Sequence, residues 1–169
     1  MLKFNTHFYR FKDLSILFSI FLISFYTNAN SDLDKLNVPN GFEISIFADK
    51  LDSPRQLAET DEGYVIAGSK KGNKIYALLD QDLDGYAEKR ILVADNLQNP
   101  TGVTVYGGDL YFAEIDTVWI IKEIDNWLNS NSESIPTKSV FMNNLPSETW
   151  HGFKYIDFGP DGNLYIPNV

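Results

Sequence analysis

The 169-residue sequence predicts an all-β chain assembled from β-propeller blades. Three observations carry that prediction. A hairpin signal recurs three times, with turn glycines at Gly63, Gly108 and Gly162 spaced 45 and 54 residues apart. Short β-branched and aromatic segments follow each of the first two recurrences, and a four-strand unit repeating every ~40–50 residues is what a propeller blade requires. Aromatic residues make up 14% of the chain, and its glycines and prolines are spread along it, which suits strands and turns better than long helices. A β-sandwich has equally short, evenly spaced strands. The shared register of the turn glycines, with Leu57, Val103 and Ile156 at matching places before them, favours the propeller.

The chain opens with Lys3, Arg10 and Lys12, a nearly unbroken apolar run from Leu14 to Tyr26, and Thr27-Asn28-Ala29. This is the three-part layout of a secretory signal peptide, cut after Ala29. The run is short for a bilayer-spanning helix, which needs ~20 residues; an uncleaved anchor is the alternative reading. Residues 1–29 are therefore expected to be a leader, and 30–169 an exported, periplasmic or secreted part. The leader holds three basic residues and one acid, so the remainder carries 11 basic and 22 acidic residues, net −11. That balance argues against nucleic acid as a partner, because binding it needs a basic face. There is no cysteine, hence neither a disulfide nor a C-x-x-C-H haem attachment.

The elements follow in order. Phe42-Glu43-Ile44-Ser45-Ile46-Phe47 alternates apolar against polar, the period of a half-buried strand. The first repeat runs from Arg55–Ala58 through a turn at Asp61-Glu62-Gly63 to Tyr64–Gly68, then Lys74–Leu78 and Arg90–Ala94. The second opens at Asn99-Pro100-Thr101-Gly102, turns at Gly107-Gly108 and returns as Leu110–Glu114. Thr117–Ile121, a short helical insert at Ile124–Leu128 and Lys138–Met142 complete it. The third is a hairpin, Tyr155–Phe158 and Leu164–Ile166 around Gly159-Pro160-Asp161-Gly162, where Pro presets φ and Gly supplies φ > 0. Propellers close with about four to eight blades. The chain supplies about two and a half, so it is expected to be the N-terminal part of a longer propeller domain.

Two stretches carry chemistry. Asp80-x-Asp82-x-Asp84-Gly85 opens like an EF-hand loop, with alternate carboxylates as hard oxygen ligands and Gly for the sharp turn. Position twelve, Ile91, is not the usual Glu; Glu88 is the substitute candidate. Asp80, Asp82, Asp84 and Glu88 thus form a candidate Ca²⁺ set, or else a solvated acidic hairpin. His151, the only histidine outside the leader, stands just before an inner strand, at the end where a propeller gathers its ligand groups. An imidazole there can take a hydroxyl proton near neutral pH, or it can serve only as a loop hydrogen-bonding group.

Gly41-Phe42, Asn99-Pro100-x-Gly102-Val103, Leu145-Pro146-Ser147-Glu148, His151-Gly152-Phe153-Lys154 and the Gly159-Pro160-Asp161-Gly162-x-Leu164-Tyr165 hairpin together resemble the start of the glucose/sorbosone dehydrogenase family. The resemblance implies a six-bladed propeller that oxidises sugars or related alcohols and aldehydes with pyrroloquinoline quinone (PQQ). It implies His151 as the base that removes the substrate proton, and an external electron acceptor such as a cytochrome. Phe153 departs from the family, where Trp is frequent. Arg55, Asn99 and Lys154, at or near the start of the three inner strands, suit a carboxylate-bearing cofactor; Arg in particular grips carboxylates bidentately. Each of the three can also be read as a solvated loop residue. A secreted propeller that binds carbohydrate or protein without redox chemistry is the rival function.

Overall fold

The computed structural model describes residues 33–150 and 152–167. The predicted leader, 1–29, and His151 lie outside the described residues. The chain divides after Ile44. Before that point lie a 3₁₀ turn at Leu33–Lys35 and a turn closed by the Phe42 amide on the Pro39 carbonyl at 3.1 Å. Among the described residues no helix is long and apolar enough to cross a membrane.

From Ser45 onward the regular secondary structure is strand apart from one short helix. The first sheet is the meander β1 (Pro54–Glu59), β2 (Val65–Ser69), β3 (Ile75–Leu79) and β4 (Lys89–Ala94). The second is β5 (Gly102–Tyr106), β6 (Asp109–Ala113), β7 (Val118–Ile121) and β8 (Ser139–Met142), with a short helix α1 (Ile124–Asn129) between its last two strands. The third is a hairpin of β9 (Asp157–Phe158) and β10 (Leu164–Tyr165). Every pairing is antiparallel between neighbours in sequence, which is the construction of a propeller blade.

The turns explain the spacing of the repeats. In the first and third, the turn amides of Gly63 and Gly162 donate to Thr60 and Gly159, and Thr60 and Gly159 donate to Tyr64 and Asn163. The second repeat has a two-residue turn instead, with φ +60° at Gly107 and +80° at Gly108. Positive φ at both centres is the I′ geometry that matches strand twist, and only Gly adopts it freely. One residue fewer in this turn shortens the offset from Val103 to its glycine.

Stacking shows in β6, which is buried along its whole length. Side chains on a strand alternate between faces. Leu110 and Phe112 join Ile66, Ile75, Val93 and Val103 in the core between the first two sheets, closed below by Ile124 and Leu128 of α1. Tyr111 and Ala113 pack on the other side with Ile156 and Phe158 of the third repeat. A sheet buried on both faces between two neighbours is the arrangement a propeller needs.

One predicted strand is corrected. Phe42–Phe47 forms no strand; Phe42 is 69% and Ile44 42% exposed. The alternation is real, but a strand also needs a partner for its backbone, and the first sheet is complete without this segment. Its end is held by one bond, from the Ala87 amide to the Phe47 carbonyl at 2.7 Å. Phe47, Ala48 and Leu51 pack instead on the outer face of the first sheet, against Ala67, Leu78 and Ala87.

Candidate functional site

The three inner strands begin at one end, here called the leading end. Counting from Leu57, Val103 and Ile156, the equivalent positions are Arg55, Thr101 and Lys154, followed by Gln56, Gly102 and Tyr155. Asn99 lies two residues earlier and matches Ser53; both precede a proline and both have φ near +50°. The Gln56 amide donates to the Thr101 carbonyl at 3.4 Å, and the Thr101 hydroxyl donates to the Lys154 carbonyl at 3.2 Å. The first repeat also touches the third directly: Arg55 Nε donates to the Tyr155 hydroxyl at 2.9 Å, and the guanidinium lies 5.7 Å from that ring. Gly102 is required by this convergence, because a Cβ there would stand 2.2 Å from the Lys154 carbonyl oxygen.

The three predicted cofactor residues meet different environments. Arg55 is exposed, and only its Nε is engaged among the described residues, so its terminal nitrogens fit a carboxylate. Asn99 is half-buried, and its carbonyl accepts the Thr101 amide at 2.7 Å. Lys154 is 2% exposed, and its ammonium donates to the Pro146 and Gly152 carbonyls at 3.5 and 3.4 Å. That places it as a strut fastening the backbone at Pro146 and at Gly152 to the inner strand. Lys70, at the end of β2, lies at the same end: its amide donates to the Ser53 carbonyl, and its ammonium stands 4.5 Å from the Phe153 ring. Sequence reading missed Lys70, Gln56 and Tyr155. Lys70 follows an inner-strand hairpin rather than opening one, and nothing in the local pattern of Gln56 or Tyr155 announces a partner 100 residues away.

The acidic loop lies at the opposite end of the first sheet. Leu78 pairs with Val65 and Val65 with Glu59, so the turn after β3 lies beside the far end of β1 from Arg55. Here the four predicted ligands come together: ligand oxygens of Asp80, Asp82, Asp84 and Glu88 all lie within 4.8 Å of one another. The loop is shaped by its own carboxylates. Asp80 accepts the Asp84 and Gly85 amides at 3.2 and 2.8 Å, Asp84 accepts Tyr86 at 2.8 Å, and Glu88 accepts Gln81 at 3.0 Å. Each oxygen keeps a second lone pair, so the donor set fits a hard cation. Lost hydration, then the like charges of Asp84 and Glu88, push the Asp82 carboxyl above the ordinary carboxylate range. A divalent cation would relieve that repulsion. Being at the far end, it would steady the sheet rather than touch chemistry at Arg55.

No family model matches the chain. A protein of Borreliella burgdorferi, itself described as uncharacterized, is 26% identical over 161 residues, covering 91% of this chain and 41% of that protein. Several solved structures are similar. The holo PQQ domain of pyranose dehydrogenase from Coprinopsis cinerea matches with a TM-score of 0.62 at 16% identity, over 74% of this chain and 29% of that one. A carbohydrate-active enzyme of family AA12 from Trichoderma reesei gives 0.59 at 19%, over 73% and 31%. The PQQ-bound aldose sugar dehydrogenase of Streptomyces coelicolor gives 0.50 at 16%, over 73% and 40%. The chain thus spans about two fifths or less of each of these proteins. At such identities the likeness is one of fold: the chain is built of β-propeller blades, and two of these structural neighbours are sugar dehydrogenases described with PQQ.

Proposed function

We propose that the full-length protein is an exported quinoprotein that oxidises a sugar, or a related alcohol or aldehyde, with PQQ. The observation that carries this reading is the convergence of three inner strands on one end, with an exposed guanidinium at Arg55, within a fold shared with PQQ-dependent sugar dehydrogenases. When bound, PQQ supplies the acceptor for the substrate's hydride. Arg55 and Asn99 would hold its carboxylates and polar edge, and Lys154 would fix the segment that leads into the inner strand. His151 takes the proton from the substrate hydroxyl, a role that imidazoles fill near neutral pH. Electrons leave to an external acceptor such as a cytochrome. Ca²⁺ in the Asp80–Glu88 loop steadies the first blade, and residues 1–29 direct export.

The test is reconstitution of the full-length protein with PQQ, followed by dye-linked turnover on aldoses and sugar alcohols. General base catalysis contributes ~10²–10⁴-fold, so His151→Ala should lower kcat by about that factor. His151→Gln keeps a hydrogen-bonding amide but takes up no proton, and should be comparably impaired, with PQQ affinity little changed in both. Mutants with wild-type turnover would make His151 structural. A wild type that binds sugar but neither binds PQQ nor turns over would be the non-catalytic binding module.

A further inference from the structure

Gln56, like Thr101, joins all three repeats, and it does so with both its backbone and its side chain. Its backbone belongs to the first and donates to Thr101 of the second, while its side chain crosses to the third. There the carboxamide makes a two-way pair: Nε2 donates to the Ile156 carbonyl at 2.7 Å, and the Ile156 amide donates to Oε1 at 3.1 Å. A primary amide offers one acceptor and two donors, so it imitates one rung of a β-ladder. Ile156 needs such a rung. It is 1% exposed and stands just before β9, and buried backbone groups are nearly always paired. The sheet explains how Gln56 reaches it. Pro54 faces Ser69 and Leu57 faces Ala67, so three steps on β1 meet two on β2. That is a β-bulge containing Arg55 and Gln56, and bulges re-aim side chains beside functional sites.

We propose that Gln56 is a positioning residue, clamping the Ile156 backbone and so fixing the spacing between Arg55 and the start of the third inner strand at Tyr155 and Ile156. This rests on the quinoprotein reading for its effect on turnover, but not for the clamp itself. The bulge puts Arg55 and Gln56 side by side: one contacts Tyr155 and the other Ile156, so neighbouring residues of the first repeat grip neighbouring residues of the third.

The experiment compares the full-length wild type with Gln56→Leu and Gln56→Glu. It reads hydrogen exchange at the Ile156 amide and PQQ-dependent kinetics between pH 5 and pH 8. Gln56→Leu removes both bonds; exchange at Ile156 should quicken at least about tenfold, and kcat should fall roughly 10–100-fold with KM changed less, the scale of a small misplacement of reacting groups. Gln56→Glu adds a readout that general loosening would not move. Its ionised carboxylate would accept from Ile156 but repel the carbonyl, whereas the protonated acid regains a donor. Protection and kcat relative to wild type should therefore recover as pH falls, and this variant also decides the matter if Gln56→Leu does not fold. Unchanged Ile156 exchange in the variants would overturn the clamp. Quickened exchange with unchanged kcat would overturn the positioning role. A wild type with no quinone-dependent turnover would defeat the functional reading, while exchange at Ile156 would still decide the clamp.

Discussion

At the leading end, Gln56 and Arg55 reach partners 100 residues away. At the other end of the same sheet, the acidic loop takes every ligand group from the nine residues Asp80–Glu88. The first site exists only if three repeats stack correctly. The second is shaped mainly by bonds between its own backbone and side chains, and only its last residues, Tyr86 and Ala87, are tied to the segment before the first sheet. A disturbance of stacking should therefore abolish chemistry at the leading end and leave the loop intact, and removal of a loop carboxylate should do the reverse.

The largest effect that would break this contrast is expected from Gly102→Ala. The added Cβ meets the Lys154 carbonyl, a backbone atom that cannot swing aside. Overpacking of this kind costs up to about 3 kcal/mol and occasionally more, so denaturant unfolding of the full-length protein should show a loss of that order. The Ca²⁺ response of whatever folds should survive. A change below about 0.5 kcal/mol, the size expected of an ordinary surface substitution, would mean that the second and third repeats are not held as closely as described.

A smaller effect is expected at Asp82. Its carboxyl is raised, chiefly by lost hydration and then by Asp84 and Glu88. A group raised in the folded state adds stability below its unfolded pKa and loses it as pH rises through the folded value. At neutral pH without Ca²⁺ the ionised Asp82 is thus a local liability. Asp82→Asn should raise Tm slightly in chelator at pH 7, not at pH 3, and should remove the rise of a few degrees expected of the wild type in excess Ca²⁺. Turnover at saturating PQQ should be unaffected. A wild type whose Tm ignores millimolar Ca²⁺ would leave the loop as a turn only.

The same contrast governs what could be read from the sequence. Alternation and turn glycines located the strands of the two complete sheets, the α1 insert and the closing hairpin, because each is a local pattern. They also misread Phe42–Phe47, since alternation shows the face a strand would bury and not the partner it needs. The Asp80 loop was legible for the reason that makes it local: four carboxylates at short spacing are brought together by the turn they themselves cap. Lys154 read as a cation at the leading end, yet its ammonium lies against backbone carbonyls, because burial is decided by the neighbouring repeat. Gln56 gave no signal at all, since the bulge that aims it and the Ile156 backbone it meets are products of tertiary packing.

If the leading end of the three inner strands receives an anionic quinone through Arg55, titration of PQQ into the full-length apoprotein, followed by absorbance, will show it. Wild type should bind saturably, and Arg55→Met should bind about 10–100-fold more weakly, the loss expected when a hydrogen-bonded charge is removed. Equal affinity in both proteins, or no saturable binding by the wild type, would contradict the account.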